Sequence, residues 1–343
     1  MLFGLVLRIR HLLFDRQIFK SAQFEVPVIC VGNITVGGTG KTPVIQYITK
    51  LMLKHNIKPA ILSRGYGRSS SGFKEVMPDS LVKEVGDEPL LHACTFNNLP
   101  VAVCEDRAIG ISEILSARAD VQCVLLDDAY QHRWVKPQIN ILLTSFNCPF
   151  FHDYLLPAGN NRDVRSAARR ADYLIFTRTP DDLSKQASEA AEAKARRYLA
   201  QHAQIFFTTM EPTAWQEVFS ESVLHTNTNA QKAVAFAGIA QNNSFFESLK
   251  AFKLTHCISF DDHHQYNDSD VERLHKALKN AGSQAILLTT AKDAVKLRQM
   301  SSAAELLSGR IFYRDIKVSF LHGQKRFEES LLQDIAHIQH LKD

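Results

Sequence analysis

None of the six cysteines, Cys30, Cys94, Cys104, Cys123, Cys148 and Cys257, stands in a CxxC pair, which excludes a zinc ribbon and a thioredoxin-type redox motif. Cys30, Cys104 and Cys123 sit inside apolar runs that read as buried strands, the setting of reduced core thiols. Long apolar runs are missing too. The longest near the N-terminus, Met1–Leu7, falls far short of the ~20 residues a membrane-spanning helix needs. In a signal peptide the charges precede the apolar stretch; here they are interleaved with it, and no small-residue cleavage site follows. The charge excess is small, +4 at pH 7, which suits anionic substrates or a membrane surface but not nucleic acid. No repeat or low-complexity tract is present, and 45% hydrophobic with 22% charged residues excludes a disordered chain.

At 343 residues the chain exceeds what one hydrophobic core usually holds, so two domains are expected. The N-terminal MLFGLVLRIRHLLFDRQIFK mixes apolar residues with Arg8, Arg10, Arg16 and Lys20. It reads either as a packing helix or as an interfacial helix with its apolar side in the acyl boundary and its basic residues on anionic headgroups. Apolar strands are expected at 26–33, 59–62, 101–104, 121–126, 139–143, 173–177 and 205–208, with helical segments such as 44–56, 108–117 and 183–200 between them. Strands that are apolar throughout, alternating with helices, predict an α/β fold: a mainly parallel sheet covered on both faces. The polar stretch at 225–232 marks a break, after which strand and helix patterns resume. The expected divisions are an N-terminal helix at 1–25, a core domain at 26–225 and a smaller α/β domain at 226–343.

The strongest chemical signal is VGNITVGGTGKT (31–42), a strand running into a glycine-rich loop that opens a helix. Backbone N–H groups of Thr35, Gly37, Gly38, Thr39 and Gly40 and the helix N-terminus would cradle phosphates. Lys41 would reach the β- and γ-phosphates of ATP, and Thr42 would hold Mg²⁺. Thr35 occupies the position where a P-loop usually has its first glycine. The strand VQCVLLDDAYQH (121–132) ends in Asp127 and Asp128, two carboxylates suited to positioning Mg²⁺ at the carboxyl edge of a sheet. In GDEP (86–89), Asp87 could accept a hydroxyl proton; an N-cap is the plain alternative. In FDDHHQY (260–266), adjacent histidines point in different directions, so a single His with a carboxylate partner fits better than a shared metal. Arg64, Arg107, Arg162 and Lys292 are basic positions that a phosphorylated substrate could use.

Taken together, VGNITVGGTGKTP, LSRGYG, VGDEP, LLDDAYQHR, LLPAGNNRD, AFAGIAQNNSFF, FDDHH and TTAKDAVKL resemble the tetraacyldisaccharide 4′-kinase family of P-loop enzymes, in the same order and over nearly the whole chain. The resemblance implies transfer of the ATP γ-phosphate to the 4′-hydroxyl of an acylated glucosamine disaccharide 1-phosphate in lipid A biosynthesis. It makes Thr35 a family habit. It implies Asp87 as the catalytic carboxylate with His263 as its partner, Lys41 and Thr42 on phosphate and Mg²⁺, and Asp127 and Asp128 as the metal-positioning pair. Arg162 and Asp163 match an Arg–Glu pair near the site, with Asp163 a possible metal ligand one methylene shorter. Arg64, Arg107, Gln131 and Lys292 are candidate substrate contacts. The N-terminal helix would then dock peripherally on the cytoplasmic face of the bacterial inner membrane, with no obligate protein partner. The alternative is a P-loop kinase acting on a soluble hydroxyl compound. A GTP-dependent module fits poorly, because TTAKDA (289–294) is no NKxD motif.

Overall fold

The computed structural model describes all residues except 1, 221, 225–230, 241 and 341–343. The chain begins with α1 (Leu2–Asp15), then β1 (Val28–Asn33), α2 (Lys41–Lys54), β2 (Pro59–Ser63), β3 (Lys74–Glu75), α3 (Val82–Val85) and α4 (Asp87–Thr95). It continues through β4 (Val101–Val103), α5 (Arg107–Ala117), β5 (Cys123–Asp127), β6 (Ile139–Ser145), β7 (Tyr173–Thr177), α6 (Lys185–Arg196) and β8 (Gln204–Pro212). A second run comprises β9 (Gln216–Glu217), β10 (Lys232–Ala237), α7 (Asn242–Glu247), β11 (Lys253–Ser259), α8 (Asp268–Ala281) and β12 (Ile286–Thr290). It closes with α9 (Ala291–Leu297), α10 (Ser301–Leu307) and β13 (Ile311–Arg314). Last come β14 (Ile316–Phe320) and α11 (Gln324–His340).

The first sheet has the order β14-β8-β7-β6-β1-β5-β2-β4-β3, parallel except at its two edges, β14 and β3. All six residues of β1 and all five of β5 are buried, as expected for strands covered on both faces. The second sheet, β11-β10-β12-β13-β9, is parallel except for β9. Its helix α8 starts with a capping box, Asn267 and Asp270 each bonding the other's backbone, and buries Val271, Leu274 and Leu278 at helical spacing. The α/β fold expected from the strand pattern is present in both sheets.

The division of the chain differs from the sequence expectation. Residues 226–343 do not form one C-terminal domain. β14 pairs antiparallel with β8, and α11 lays Phe327, Leu331 and Ile335 into the same core as Ile29 and Val31 of β1. Each of those three α11 side chains is fully buried, which stabilises by about 1.5–3 kcal/mol apiece. That apolar stripe, one residue every four, holds the C-terminus on the first sheet. Conversely, β9 leaves the first lobe to pair with β13. Most of the polar segment in which the boundary was placed lies outside the described residues.

Candidate active site

At the carboxyl edge of the first sheet, β1 ends in Asn33 and the chain turns through the glycine loop into α2. Gly37 and Gly40 take φ of 98° and 80°, the left-handed region that a β-carbon disfavours. Thr35 does not: it bridges Asn161 in extended pairing, while Val36 N donates to Asn160 O at 2.7 Å. A threonine therefore fits this position without strain. Pro43 sits in the first turn of α2, where its missing N–H is no loss.

Asn33 is a residue the sequence reading quoted but did not single out. It is fully buried, and it gathers the loop's polar groups. Its side-chain nitrogen donates to Thr35 O at 2.7 Å, and its side-chain oxygen accepts from Lys41 Nζ at 3.4 Å and from Arg162. Its backbone oxygen accepts from Gln131 Nε2 at 2.7 Å and from Arg162 at 3.3 Å. Its place directly before the glycine loop was the available signal.

Asp128, in the left-handed region at φ 51°, accepts both arms of the Arg162 fork, one at 3.0 Å, and lies 3.7 Å from Lys41 Nζ. Burial alone would push its carboxyl up; the Lys41 and Arg162 charges outweigh that and hold it below the usual carboxylate range. Asp127 is 1% exposed, and neither of its oxygens has a hydrogen-bond partner; His92 Nε2 lies 3.6 Å away. A buried, unpartnered carboxylate calls for a water or an ion. Thr42 and Asp128 line the cavity beside the glycine loop, and a hydroxyl with one or two carboxylates is the kind of donor set Mg²⁺ takes, since it keeps several waters.

Asp163 has a different set of neighbours. It is fully buried, accepts from Val164 N at 2.8 Å and lies 2.6 Å from His11 Nε2. One carboxylate oxygen of Asp163 is thus turned to α1, while the other is buried without a hydrogen-bond partner, 3.6 Å from the Arg170 guanidinium.

The acceptor side lies across the opening. Asp87 begins α4 and is 5% exposed. His263 Nδ1 sits 2.9 Å from Asp87 Oδ2 and 3.1 Å from Oδ1, and Lys296 Nζ lies 3.3 Å from Oδ2. Beside them Glu88 pairs with Lys292. Burial would raise the Asp87 carboxyl, but the His263 hydrogen bond and the Lys292 and Lys296 charges hold it far below its ordinary value. The same hydrogen bond raises His263, against the opposing effect of its own burial. His263 has φ 58°, an uncommon conformation of the kind that concentrates at functional sites. Asp87 and His263, far apart in the chain, are in direct contact. Lys296 and Glu88 went unnoticed in the sequence because a lone Lys on a short helix carries no pattern.

One cavity of about 1500 Å³ joins these groups, running from the glycine loop past Asp87 and His263. Arg64, Arg107, Gln131 and Lys292 all line it. Only Arg64 among them is exposed. Arg107 donates to the carbonyls of Cys104 and Glu105, the Gln131 amide nitrogen is spent on Asn33, and Lys292 is spent on Glu88. Tyr66, 75% exposed, leans its ring toward His263 at 5.5 Å and was not foreseen. The opening therefore offers phosphate-binding groups at one end and a carboxylate–imidazole pair at the other.

A sequence model of the family described as Tetraacyldisaccharide-1-P 4′-kinase matches residues 1–336. This chain belongs to that family. The tetraacyldisaccharide 4′-kinase of Flavobacterium johnsoniae is 39% identical over 334 residues, covering 97% of this chain and 94% of its own length. That of Bacteroides thetaiotaomicron is 35% identical, covering 96% and 90%. The crystal structure of Aquifex aeolicus LpxK in complex with ATP matches with a TM-score of 0.76 at 28% identity, over 97% of this chain and 96% of that one.

Proposed function

We propose that this chain is an ATP-dependent 4′-kinase that phosphorylates tetraacyldisaccharide 1-phosphate in lipid A biosynthesis, working at a membrane surface. The carrying observation is the Asp87–His263 pair set across one cavity from Lys41 and Arg162. Lys41, Arg162 and the loop N–H groups neutralise and orient the triphosphate. Thr42, Asp127 and Asp128 would hold Mg²⁺, which when bound shields charge on the transferring phosphoryl group. Asp87 accepts a hydrogen bond from the 4′-hydroxyl and aims its oxygen at phosphorus. A carboxylate held so acidic is a weak base. It takes the proton late, once the forming P–O bond has made the hydroxyl acidic, which suits the loose transition state of phosphoryl transfer. His263 and Lys296 fix the carboxylate's position and charge.

The outer side of α1 supports the membrane reading. Leu5, Ile9 and Leu12, at helical spacing, are 55%, 49% and 46% exposed, while Leu7, His11 and Phe14 face inward. Exposed Arg8 within the helix and exposed Arg16 and Lys20 just after it supply positive charge, as suits a helix lying on anionic lipid. Among the described residues no helix is long and apolar enough to cross a membrane. This exposed stripe favours a lipid acceptor over a soluble one. The test is ATP-dependent phosphorylation of tetraacyldisaccharide 1-phosphate in detergent, with Lys41→Ala as control. Product bearing a 4′-phosphate is expected; no transfer, or equal transfer by the control, would overturn the proposal.

A further inference from the structure

Two neighbouring residues on the inner side of α1 reach the floor of the phosphate site by separate routes. Arg10 lines the cavity and donates to Gln131 O at 3.0 Å, and Gln131 in turn donates to the Asn33 carbonyl. His11, 2.6 Å from the fully buried Asp163, fixes the segment whose preceding residue, Arg162, grips Asn33 and Asp128. Arg162 N also donates to Ile34 O at 2.9 Å, so this segment runs alongside the start of the glycine loop. Both routes end on Asn33, the residue that holds Lys41.

Elsewhere α1 is held through its inner side, where Phe14 packs against Phe19 and Trp134 and the Arg133 guanidinium lies over its ring at 5.0 Å. Leu7, His11 and Phe14 are its buried side chains among those described, with Arg133 bonding His11 O at 3.1 Å and Asp15 at 2.7 Å. A helix of 14 residues is marginal in water without tertiary support. Anything that binds its docked form better than its undocked form raises the docked population. The exposed Leu5, Ile9 and Leu12 stripe, together with Arg8, Arg16 and Lys20, gives an anionic lipid surface that preference.

We propose that α1 is a working part of the phosphoryl-transfer site: seating on an anionic lipid surface steadies Arg10 and His11, which through Gln131 and Asp163 set the positions of Asn33, Lys41 and Arg162 and so raise turnover. Arg10 and His11 are positioning residues, since neither is asked to touch the reacting atoms. The inference rests on the reading of α1 as lipid-facing, and the experiment separates the two.

Turnover is measured at saturating ATP and tetraacyldisaccharide 1-phosphate in neutral-detergent micelles, with and without phosphatidylglycerol. Cosedimentation with phosphatidylglycerol vesicles is measured alongside. The wild-type protein is expected to bind vesicles and to gain several-fold in kcat. His11→Ala should still bind vesicles but lose most of that gain. His11→Gln, which keeps a side-chain nitrogen donor at similar reach, should recover it. A change in KM shared by all three reports only how the acceptor is presented. Amide hydrogen exchange of the unsubstituted protein gives a check independent of any variant's folding: vesicles should slow exchange at 131–133 and 161–164. Equal stimulation of wild type and His11→Ala, or vesicle binding with no change in kcat and exchange, would overturn the inference and leave the lipid-facing helix standing. A wild-type protein that does not bind vesicles would overturn both.

Discussion

The two ends of the cavity are built in different ways. The phosphate end comes from one lobe: β1, the glycine loop, α2 and the segment around Arg162 all belong to the first sheet's surroundings, and their polar groups converge on one buried residue, Asn33. The acceptor end is shared. Asp87 and Glu88 come from α4 of the first lobe, while His263, Lys292 and Lys296 come from the second, and every charged contact there crosses between lobes except Lys296 with Asp293 and His263 with Asp262. A site built within one lobe holds its ligand at any lobe spacing. A site built from two lobes is complete only when they meet, so acceptor chemistry can be confined to the closed arrangement.

Substitutions should divide along that line. The largest effect is expected from Asp87→Ala, a fall in kcat of ~10²–10⁴ with ATP affinity retained, read by steady-state kinetics and nucleotide titration. An unchanged kcat would remove Asp87 from the chemistry. Lys41→Ala should cost ~10²–10³ in kcat and weaken ATP binding too, since it removes a charge placed on the transferring group. Equal ATP affinity in that variant would break the comparison from the other side.

Lys296→Met tests the acceptor end more finely. The folded-state pKa of Asp87 is depressed, so its charge stabilises the fold at all pH above the ordinary carboxylate range, and that stabilisation is lost only as pH falls through the depressed value. Removing the Lys296 ammonium raises the Asp87 pKa. The acid limb of kcat/KM should therefore move upward by roughly one unit, one unit being the scale of a single close charge. A pH profile that does not move would show that Lys296 only fills space. The smallest effect should come from Glu88→Gln, which breaks the pair with Lys292. With both side chains about a quarter exposed, the loss is roughly 1–2 kcal/mol, between the surface and buried limits, and calorimetry would read it as a modest fall in Tm.

The same contrast governs what the sequence discloses. The phosphate end is local: Val28–Thr42 holds strand, loop and helix start in one stretch, and its glycines and Lys41 carry their meaning in their spacing. Asp87 and His263 lie far apart in the chain, and each alone is an ordinary loop carboxylate or imidazole. The family resemblance, not periodicity, joined them. Lys296 and His11 were invisible because their partners, Asp87 and Asp163, are fixed by tertiary packing. The His11 contact of Asp163 has the same origin, since the way a carboxylate next to Arg162 turns depends on a neighbour that only the fold supplies. The parallel α/β architecture, with a sheet covered on both faces, was legible from the continuous apolar strands. The return of β14 and α11 to the first sheet was not, because a short strand at the edge of either sheet would read alike.

The most direct test of the two-ended site measures ATP affinity and single-turnover transfer to tetraacyldisaccharide 1-phosphate in parallel, for Lys41→Ala, Asp87→Ala and His263→Ala. The expected result is that Lys41→Ala impairs both quantities, while Asp87→Ala and His263→Ala bind ATP as the wild type does and lose only transfer. If His263→Ala weakened ATP binding as much as Lys41→Ala, or transferred phosphate at the wild-type rate, the division of the site between one lobe and two would be contradicted.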